Sequence, residues 1–281
     1  MGKIINLIKN NVLLLFILLL FLFSRLYNIS EIPASLYWDE ASIGYNAYSV
    51  LKTGKDEWGE FLPLHFRAFG EFKLPVYIYS VLAAELVFGV SMLAVRIPAV
   101  IFGLFSVLGL YLLTLKISKN KTISLFSSLL FTISPWFFIF SRTGYEAVAG
   151  LAFFIWAIYF WLLSDKKKWI IVLSVILFII SAYSYNSFRI LIPLVLGPIL
   201  FIKAWKKNML PVVVSIFILL ISAIPIYKLY TKDSGLGRLQ TVGNTKNIVS
   251  NYFKNYSPDF LFVKGDSNPR SQIPGSPQLF P

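Results

Sequence analysis

The sequence predicts an all-α, polytopic membrane protein: a transmembrane helical bundle of about seven spans with one long polar loop after the first span. Of its 281 residues, 57% are hydrophobic and 17% are aromatic. Only 14% are charged, against about 25% in a typical soluble domain. Apolar stretches close to the ~20 residues needed to cross a bilayer recur along the chain. The composition therefore excludes an ordinary soluble domain.

Seven apolar stretches are the candidate spans. They cover roughly residues 10–28, 92–115, 122–141, 144–164, 169–185, 190–205 and 209–228. The first could be mistaken for a signal peptide, but Phe23-Ser24-Arg25 and the residues after it make a poor cleavage site. We therefore expect an uncleaved first span.

Lysines orient these spans because cationic loops stay in the cytoplasm. The clusters occupy the N-terminus and every second junction: Lys3, Lys9, Lys116, Lys119, Lys121, Lys166, Lys167, Lys168, Lys203, Lys206 and Lys207. This pattern predicts a multi-pass plasma-membrane protein with a cytoplasmic N-terminus and the 29–91 loop outside. It also accounts for the net charge of +13, so no nucleic-acid partner is expected.

Two segments lie outside this simple alternation. Residues 75–89 are apolar but short and contain Glu85, which favours a helix in the membrane interface. Residues 1–228 then form the membrane module, with 29–91 as its catalytic loop. Residues 229–281 are rich in turn-forming residues and are predicted to lie on the outer face, leading to a missing C-terminal part. The polar residues of this tail form an acceptor site or a connector: Asp266, Asn268 and Arg270.

The acidic pair Asp39-Glu40 is the main candidate for chemistry. Eight of the 13 acidic residues lie between Glu31 and Glu85, and carboxylates at a membrane surface must be solvated, paired or used. One interpretation is helix capping, because a helical pattern starts here and Gly54 is a plausible stop. The other is a general base or metal ligand. Tyr37 and Trp38 beside the pair are interfacial anchors or a sugar-stacking wall.

Other charged residues fall at the same predicted face. Lys73 and Arg96 either extend to the membrane surface or meet a lipid phosphate, and Arg189 could bind a phosphate through two hydrogen bonds. Arg142 and Glu146 are four residues apart, so they either pair on one helix or face a cavity shared with Asp39. The absence of cysteine excludes thiolate chemistry. The single histidine, His65, is interpreted either as incidental or as a hydrogen-bonding residue.

Several blocks in order resemble a known family. Trp38-Asp39-Glu40-Ala41, Lys73-Leu74-Pro75-Val76-Tyr77 and Arg96-Ile97-Pro98-Ala99 are similar to the first outer loop and second span of the glycosyltransferase C superfamily. The protein O-mannosyltransferase and aminoarabinose-transferase-like branch is the nearest. Ser134-Pro135-Trp136 through Glu146 resembles its next block. The resemblance covers roughly residues 10–205, and family members usually have more than seven spans.

The resemblance implies an inverting membrane glycosyltransferase that uses a polyprenyl-phosphate-linked sugar. Asp39 matches the catalytic carboxylate, Glu40 its neighbour, and Glu146 a second-loop position that is often Asp. Lys73 matches a donor-phosphate residue, with Arg142 and Arg189 as further candidates, whereas Leu74 departs from the family's Lys-Pro-Pro.

The resemblance leaves several points open. A divalent metal on Asp39, Glu40 and Glu146 is possible, and the acceptor could be a protein, a lipid or a glycan. A transporter or a non-catalytic envelope scaffold is the alternative function.

Overall fold

The computed structural model describes residues 11–205, 209–231, 248–265 and 277–279. Its secondary structure is helical apart from one short ribbon of strands in the described part. The helices are α1 Val12–Leu26, α2 Trp38–Thr53, α3 Pro75–Phe88, α4 Met92–Ser118, α5 Lys121–Ile133, α6 Pro135–Phe140, α7 Ala147–Leu163, α8 Ile170–Ala182, α9 Asn186–Trp205, α10 Met209–Tyr230 and α11 Ile248–Asn255. A π-helical turn follows at Asp259–Val263.

The centre of the bundle is α4. It packs against α1, α5 and α7 within the apolar bundle and against α2 and α3 at its N-terminal end. From α7 the packing continues to α8, which contacts α9 and α10. Short apolar side chains let α4 and its neighbours approach closely; a Cβ added at Gly109 would come within 2.7 Å of Trp156. The small residues at such positions are typical of membrane helix interfaces.

The lengths of the helices confirm a membrane protein and modify the seven predicted spans. Three helices are long and apolar enough to cross a bilayer: Met92–Ser118, Asn186–Ala204 and Met209–Tyr230. The shorter apolar helices are Val12–Leu26, Pro75–Phe88, Lys121–Ile133, Ala147–Leu163 and Ile170–Ala182. The predicted helical bundle is confirmed, whereas the prediction of seven full-length spans is only partly reproduced.

One predicted span is wrong as a single helix. Residues 122–141 divide into α5 and α6 because Ser134 leaves the helical conformation (φ −58°, ψ 128°) directly before Pro135. A proline disfavours the α conformation of the residue before it. The break turns the short helix α6 toward the first loop, and Arg142 follows at its end.

The loop between α1 and α4 is folded rather than extended. Gly54 ends α2 in the left-handed conformation (φ 74°). The strands β1 Phe66–Ala68 and β2 Glu71–Lys73 pair antiparallel, a feature that the all-α prediction missed. Phe69 and Gly70 form their tight turn, both with positive φ. The predicted interfacial helix then starts at Pro75, a favoured first position because proline lacks the N–H that a helix start leaves unused.

The tail after α10 is only partly described. Within it the structure describes α11, the π-helical turn and residues 277–279. The predicted candidates Asp266, Asn268 and Arg270 lie outside the described residues, as do Lys3, Lys9, Lys206 and Lys207 among the orienting lysines.

Candidate functional site

Asp39 and Lys73 form an ion pair within the folded loop between α1 and α4. The Nζ of Lys73 donates to Oδ1 of Asp39 at 2.6 Å, and the indole Nε1 of Trp38 donates to Oδ2 at 3.1 Å. Asp39 lies in the first turn of α2, while Lys73 ends β2, so the ribbon brings the cation to the start of the helix. The Asp39 side chain is 27% exposed and that of Lys73 only 5%. The carboxylate is thus fixed in position and still reachable.

Glu146 is close enough to act on the same cation. Burial alone would lower the pKa of Lys73, but the negative charge of Glu146, followed by Asp39 and Glu71, outweighs it, so the pKa is raised. Glu146 itself is buried and directly precedes α7. The structure therefore places Asp39 and Lys73 in contact and Glu146 near enough to influence Lys73, so Lys73 keeps its positive charge.

Glu40 is placed very differently from its neighbour. It is 2% exposed, and its oxygens accept three hydrogen bonds. Oε2 accepts from the backbone N–H of Tyr37 at 3.0 Å, and Oε1 accepts from Nε of Arg96 at 3.1 Å and from the backbone N–H of Gly144 at 2.7 Å. The first bond is half of a capping box. Glu40 links the first loop, α4 and the turn before α7.

Two buried arginines shape the loop between α1 and α2. Arg96 donates to the carbonyl oxygens of Ile29 (2.7 Å), Pro33 (3.0 Å) and Ser35 (2.9 Å). Arg142 donates through all three of its guanidinium nitrogens to backbone carbonyls: those of Ser24, Arg25, Tyr27 and Ile32. These bonds satisfy carbonyl groups that the end of a helix and an irregular loop would leave unpaired in an apolar setting.

Arg189 lies beside an apolar groove. Because α9 begins at Asn186 rather than near residue 190, Arg189 falls in its first turn. Its Nη2 lies 3.0 Å from Nε2 of His65, and its Nε donates to the carbonyl of Ala182 at 3.3 Å. The groove measures about 520 Å³ and runs between α8, α9 and α10, lined by Phe178, Ile190, Pro193, Leu219 and Ile226 among others.

The groove connects to the ion pair through neighbouring residues. Glu71 and Phe72, which precede Lys73, line the groove together with Asn186 and Arg189. The amide Nδ2 of Asn186 donates to the carbonyl of Phe72 at 3.4 Å. The strand that carries Lys73 is therefore attached to the polar end of the groove.

A second cavity of about 810 Å³ is lined by Trp38 and Glu40, the residues that flank Asp39 in the chain. Its walls are the end of α1, the 32–38 segment, α6 and the turn after it. Tyr37 and Trp38, the predicted substrate wall, line it together with Tyr145. Burial, and then the charge of Asp39, raises the pKa of Tyr145 to about 12, so its phenol stays protonated at neutral pH. The electrostatic effect of Asp39 on Tyr145 also indicates that the carboxylate lies near this cavity.

The structure separates the predicted site residues into two groups. Asp39 contacts Lys73, Glu146 lies near enough to raise the pKa of Lys73, and Arg189 lies at the adjoining groove. Glu40 and Arg142 instead hold the backbone in place, and Arg142 and Glu146 do not share one helix face, because the segment between them is a turn.

His65 contacts Arg189, which favours the hydrogen-bonding interpretation of this residue over the incidental one. Sequence reasoning also left the role of Arg96 undecided and missed that of Tyr145, although its position beside Glu146 was a usable signal. Within the described residues, no group of three or more acidic or histidine side chains is placed to hold a metal ion. The possible metal set of Asp39, Glu40 and Glu146 is therefore not assembled.

A family model matches residues 73–227, more than half of the chain; its description is dolichyl-phosphate-mannose-protein mannosyltransferase. The chain belongs to this family. The match runs from Lys73 to residue 227 within α10 and includes Glu146 and Arg189. The glycosyltransferase C membership predicted from the sequence is thereby confirmed, as is an integral membrane protein. A comparison with curated proteins gave no match.

The fold is similar to that of a solved membrane enzyme. The crystal structure of the oligosaccharyltransferase of Archaeoglobus fulgidus in the apo form matches with a TM-score of 0.57 and 16% sequence identity. The alignment covers 78% of this chain and 29% of that one. The chain thus spans less than a third of the length of this structural relative, and at this identity the likeness shows the fold alone.

Proposed function

We propose that the protein is a membrane glycosyltransferase that transfers a sugar from a polyprenyl-phosphate donor, with Asp39 as the general base. The observation that carries this proposal is the placement of Asp39, which is partly exposed and fixed by Lys73 and Trp38. Its chain neighbours Trp38 and Glu40 line the aromatic cavity, and Glu71 and Phe72, which precede its partner Lys73, line the apolar groove. Membership of the mannosyltransferase family supports the reaction class and the type of donor. The acceptor would be reached on the predicted outer face of the plasma membrane.

The groove suits the lipid part of the donor. Its apolar lining between α8, α9 and α10 matches a hydrocarbon chain, and its polar end offers Arg189 and Asn186. Arg189 and the neighbouring Lys73 would bind the donor phosphate, because guanidinium and ammonium groups form strong, charge-assisted hydrogen bonds with phosphate oxygens. For Arg142 we propose a positioning role in place of the phosphate-binding role predicted from the sequence, since all three of its guanidinium nitrogens donate to the backbone.

The reaction would be a single displacement. Asp39 takes the proton of an acceptor hydroxyl, whose oxygen attacks the anomeric carbon of the sugar. The bond from that carbon to the phosphate oxygen breaks, and polyprenyl phosphate leaves with the additional negative charge. Lys73 and Arg189 stabilise this charge as it grows in the transition state. One displacement inverts the anomeric centre. Glu146 would keep Lys73 charged, and Glu40 would hold the start of α2.

The test is transfer of radiolabelled sugar from a panel of polyprenyl-phosphate sugars in membranes that contain the protein or its Asp39→Asn variant. We expect release of polyprenyl phosphate from at least one donor and a loss of about 10²–10⁴-fold in the variant. Equal release by both proteins would exclude Asp39 as the base. If a folded, abundant protein released polyprenyl phosphate from none of the donors, the proposed enzymatic activity would be contradicted and a transporter or scaffold would be favoured.

A further inference from the structure

The geometry points to the 810 Å³ aromatic cavity as the acceptor site, and to a neutral saccharide hydroxyl as the group that it presents to Asp39. This inference rests on the proposed function, because it takes Asp39 as the base. It adds the chemical class of the acceptor, which the family match leaves open. Three properties of the cavity support this inference: its position, its lining residues, and the fact that its charged side chains already have hydrogen-bond partners within the protein.

The position of the cavity separates it from the lipid groove. The groove reaches the site through Glu71, Phe72 and Arg189, whereas the cavity reaches it through Tyr37, Trp38 and the turn after α6. Asp39 and Lys73 join the two lining segments, so a donor in the groove and an acceptor in the cavity would reach the carboxylate through different segments of the chain. An in-line displacement requires the acceptor oxygen and the leaving phosphate to lie on opposite sides of the anomeric carbon, and two separate binding regions are compatible with that requirement.

The lining of the cavity suits a sugar. Five aromatic side chains contribute to it: Tyr27, Tyr37, Trp38, Phe138 and Tyr145. Aromatic rings provide rigid apolar faces, and tyrosine adds a polar group at the edge. The C–H face of a pyranose can pack on such rings while its hydroxyls meet the hydroxyl groups in the walls, those of Ser24, Ser35 and Thr143 among them. The Tyr145 phenol, protonated because its pKa is about 12, can donate to a sugar oxygen.

The charged side chains in the walls of the cavity are already hydrogen-bonded within the protein. Among the described lining residues, only Glu40 and Arg142 are charged, and both are committed to hydrogen bonds inside the protein. An anionic lipid headgroup would therefore find no available cation in these walls. A neutral ligand avoids the cost of removing an ionic group from water without a partner.

A peptide acceptor is a poorer match for the same walls. A peptide that binds by β-strand addition needs main-chain hydrogen bonds to free backbone groups. Here the carbonyls of Ser24, Tyr27, Ile32, Pro33 and Ser35 already accept from Arg96 or Arg142. The walls thus offer side-chain hydroxyls and ring faces rather than a backbone edge, which favours a saccharide over a polypeptide.

The test places a large side chain in the cavity and identifies the product. Ser35→Trp adds an indole at the cavity wall, and Ser30→Trp makes the same change in the same exposed loop at a residue that does not line the cavity. Both proteins and the unmodified chain are assayed in native membranes with the donor found above. The amount of folded protein is measured by size-exclusion chromatography after extraction in detergent.

We expect Ser35→Trp to lower transfer to the acceptor by at least about tenfold, equivalent to about 1.4 kcal/mol of lost acceptor interaction, with little change in the donor KM. Ser30→Trp should match the unmodified chain.

Linkage analysis of the labelled product tests the acceptor class. We expect the transferred sugar to be attached to a hydroxyl oxygen of another sugar. Attachment to serine or threonine, or to a lipid phosphate or amine, would overturn the saccharide assignment. Equal transfer by Ser35→Trp and Ser30→Trp would overturn the location. In either case Asp39-dependent release of polyprenyl phosphate would leave the proposed function intact, whereas its absence would reject the proposed function first.

Discussion

Asp39 and Glu40 are adjacent carboxylates with opposite surroundings. Asp39 is 27% exposed and bound by two side chains, one of them the cation of Lys73. Glu40 is 2% exposed and bound by Arg96 and two backbone N–H groups. Consecutive residues of a helix point about 100° apart, so one carboxylate faces the site and the other faces the bundle. The comparison separates a group that is available for chemistry from a group that holds the structure.

The same distinction divides the arginines. Arg189 lies at the polar end of a groove and contacts the His65 ring, whereas Arg96 and Arg142 are surrounded by carbonyl oxygens of the first loop. A sequence shows only that each lies near a predicted span end. Burial and the identity of the hydrogen-bond acceptors separate a candidate ligand-binding cation from a structural one.

The largest expected effect is the loss of stability when the carboxylate of Glu40 is removed. Glu40→Ala leaves Arg96 buried without its ion-pair partner, which typically costs about 3–5 kcal/mol. We expect a large loss of folded protein and a marked fall in the melting temperature of the detergent-solubilised chain. Glu31→Ala, an exposed change in the same loop, is the control. A melting temperature equal to that of the control would contradict the structural role of Glu40.

The next largest effects are expected on donor binding for Arg189 and on thermal stability for Arg142. Arg189→Ala should raise the donor KM by about 10–150-fold, since a hydrogen bond to a charged group contributes about 1.5–3 kcal/mol, with little change in thermal stability. Arg142→Ala should instead lower thermal stability because several carbonyls lose their donor. Donor titration and melting curves on both variants check this. The distinction fails if Arg142→Ala is stable and selectively weakens donor binding.

A smaller loss of stability is expected when a methyl group is added beside Glu40. A Cβ at Gly144 would lie 3.0 Å from Val95 Cγ1 and 3.1 Å from Glu40 Cγ. Gly144→Ala should therefore cost about 1–3 kcal/mol, as overpacking does, while the site around Asp39 remains intact. Gly70→Ala is unsuitable as a control because Gly70 has a positive φ. Gly197→Ala, where nothing lies near the added atom, is the matched control for thermal melting.

The smallest expected effect is on pH dependence at the alkaline side. The folded-state pKa of Lys73 is raised above 10.5, so its contribution to stability is present below that value and is lost as the pH rises through the folded pKa. Tyr145 titrates at about 12. Transfer activity should therefore stay constant on the alkaline side until the pH has risen past the ordinary lysine value of 10.5. An alkaline limb near neutral pH that disappears in Lys73→Arg would contradict a raised pKa.

Much of the fold follows from simple sequence signals. The apolar stretches predicted the bundle, Gly54 predicted the end of α2, and the short apolar segment before Gly89 predicted a separate helix. The break at Ser134-Pro135 was also present in the sequence as a proline, but a continuous apolar stretch outweighed it. The ribbon at Phe66–Lys73 was missed because three-residue strands carry too little periodicity to recognise.

The site was predicted less completely because it depends on contacts between distant segments. The order of the blocks indicated Asp39, Lys73 and Glu146; Asp39 contacts Lys73, and Glu146 lies near enough to influence its charge. No local pattern could show that Glu40 meets Arg96 and Gly144, since these contacts span 56 and 104 residues. The contact between His65 and Arg189 spans 124 residues. Such pairings become visible only once the helices are packed.

The most direct test is the rate of sugar transfer per mole of folded protein for Asp39→Asn and Glu40→Gln measured side by side. The account predicts that Asp39→Asn folds normally and loses about 10²–10⁴-fold of its activity. It predicts that Glu40→Gln yields less folded protein, but that the folded fraction retains most of its activity. The opposite outcome, an active Asp39→Asn and a stable, inactive Glu40→Gln, would contradict the separation of the two carboxylates into catalytic and structural groups.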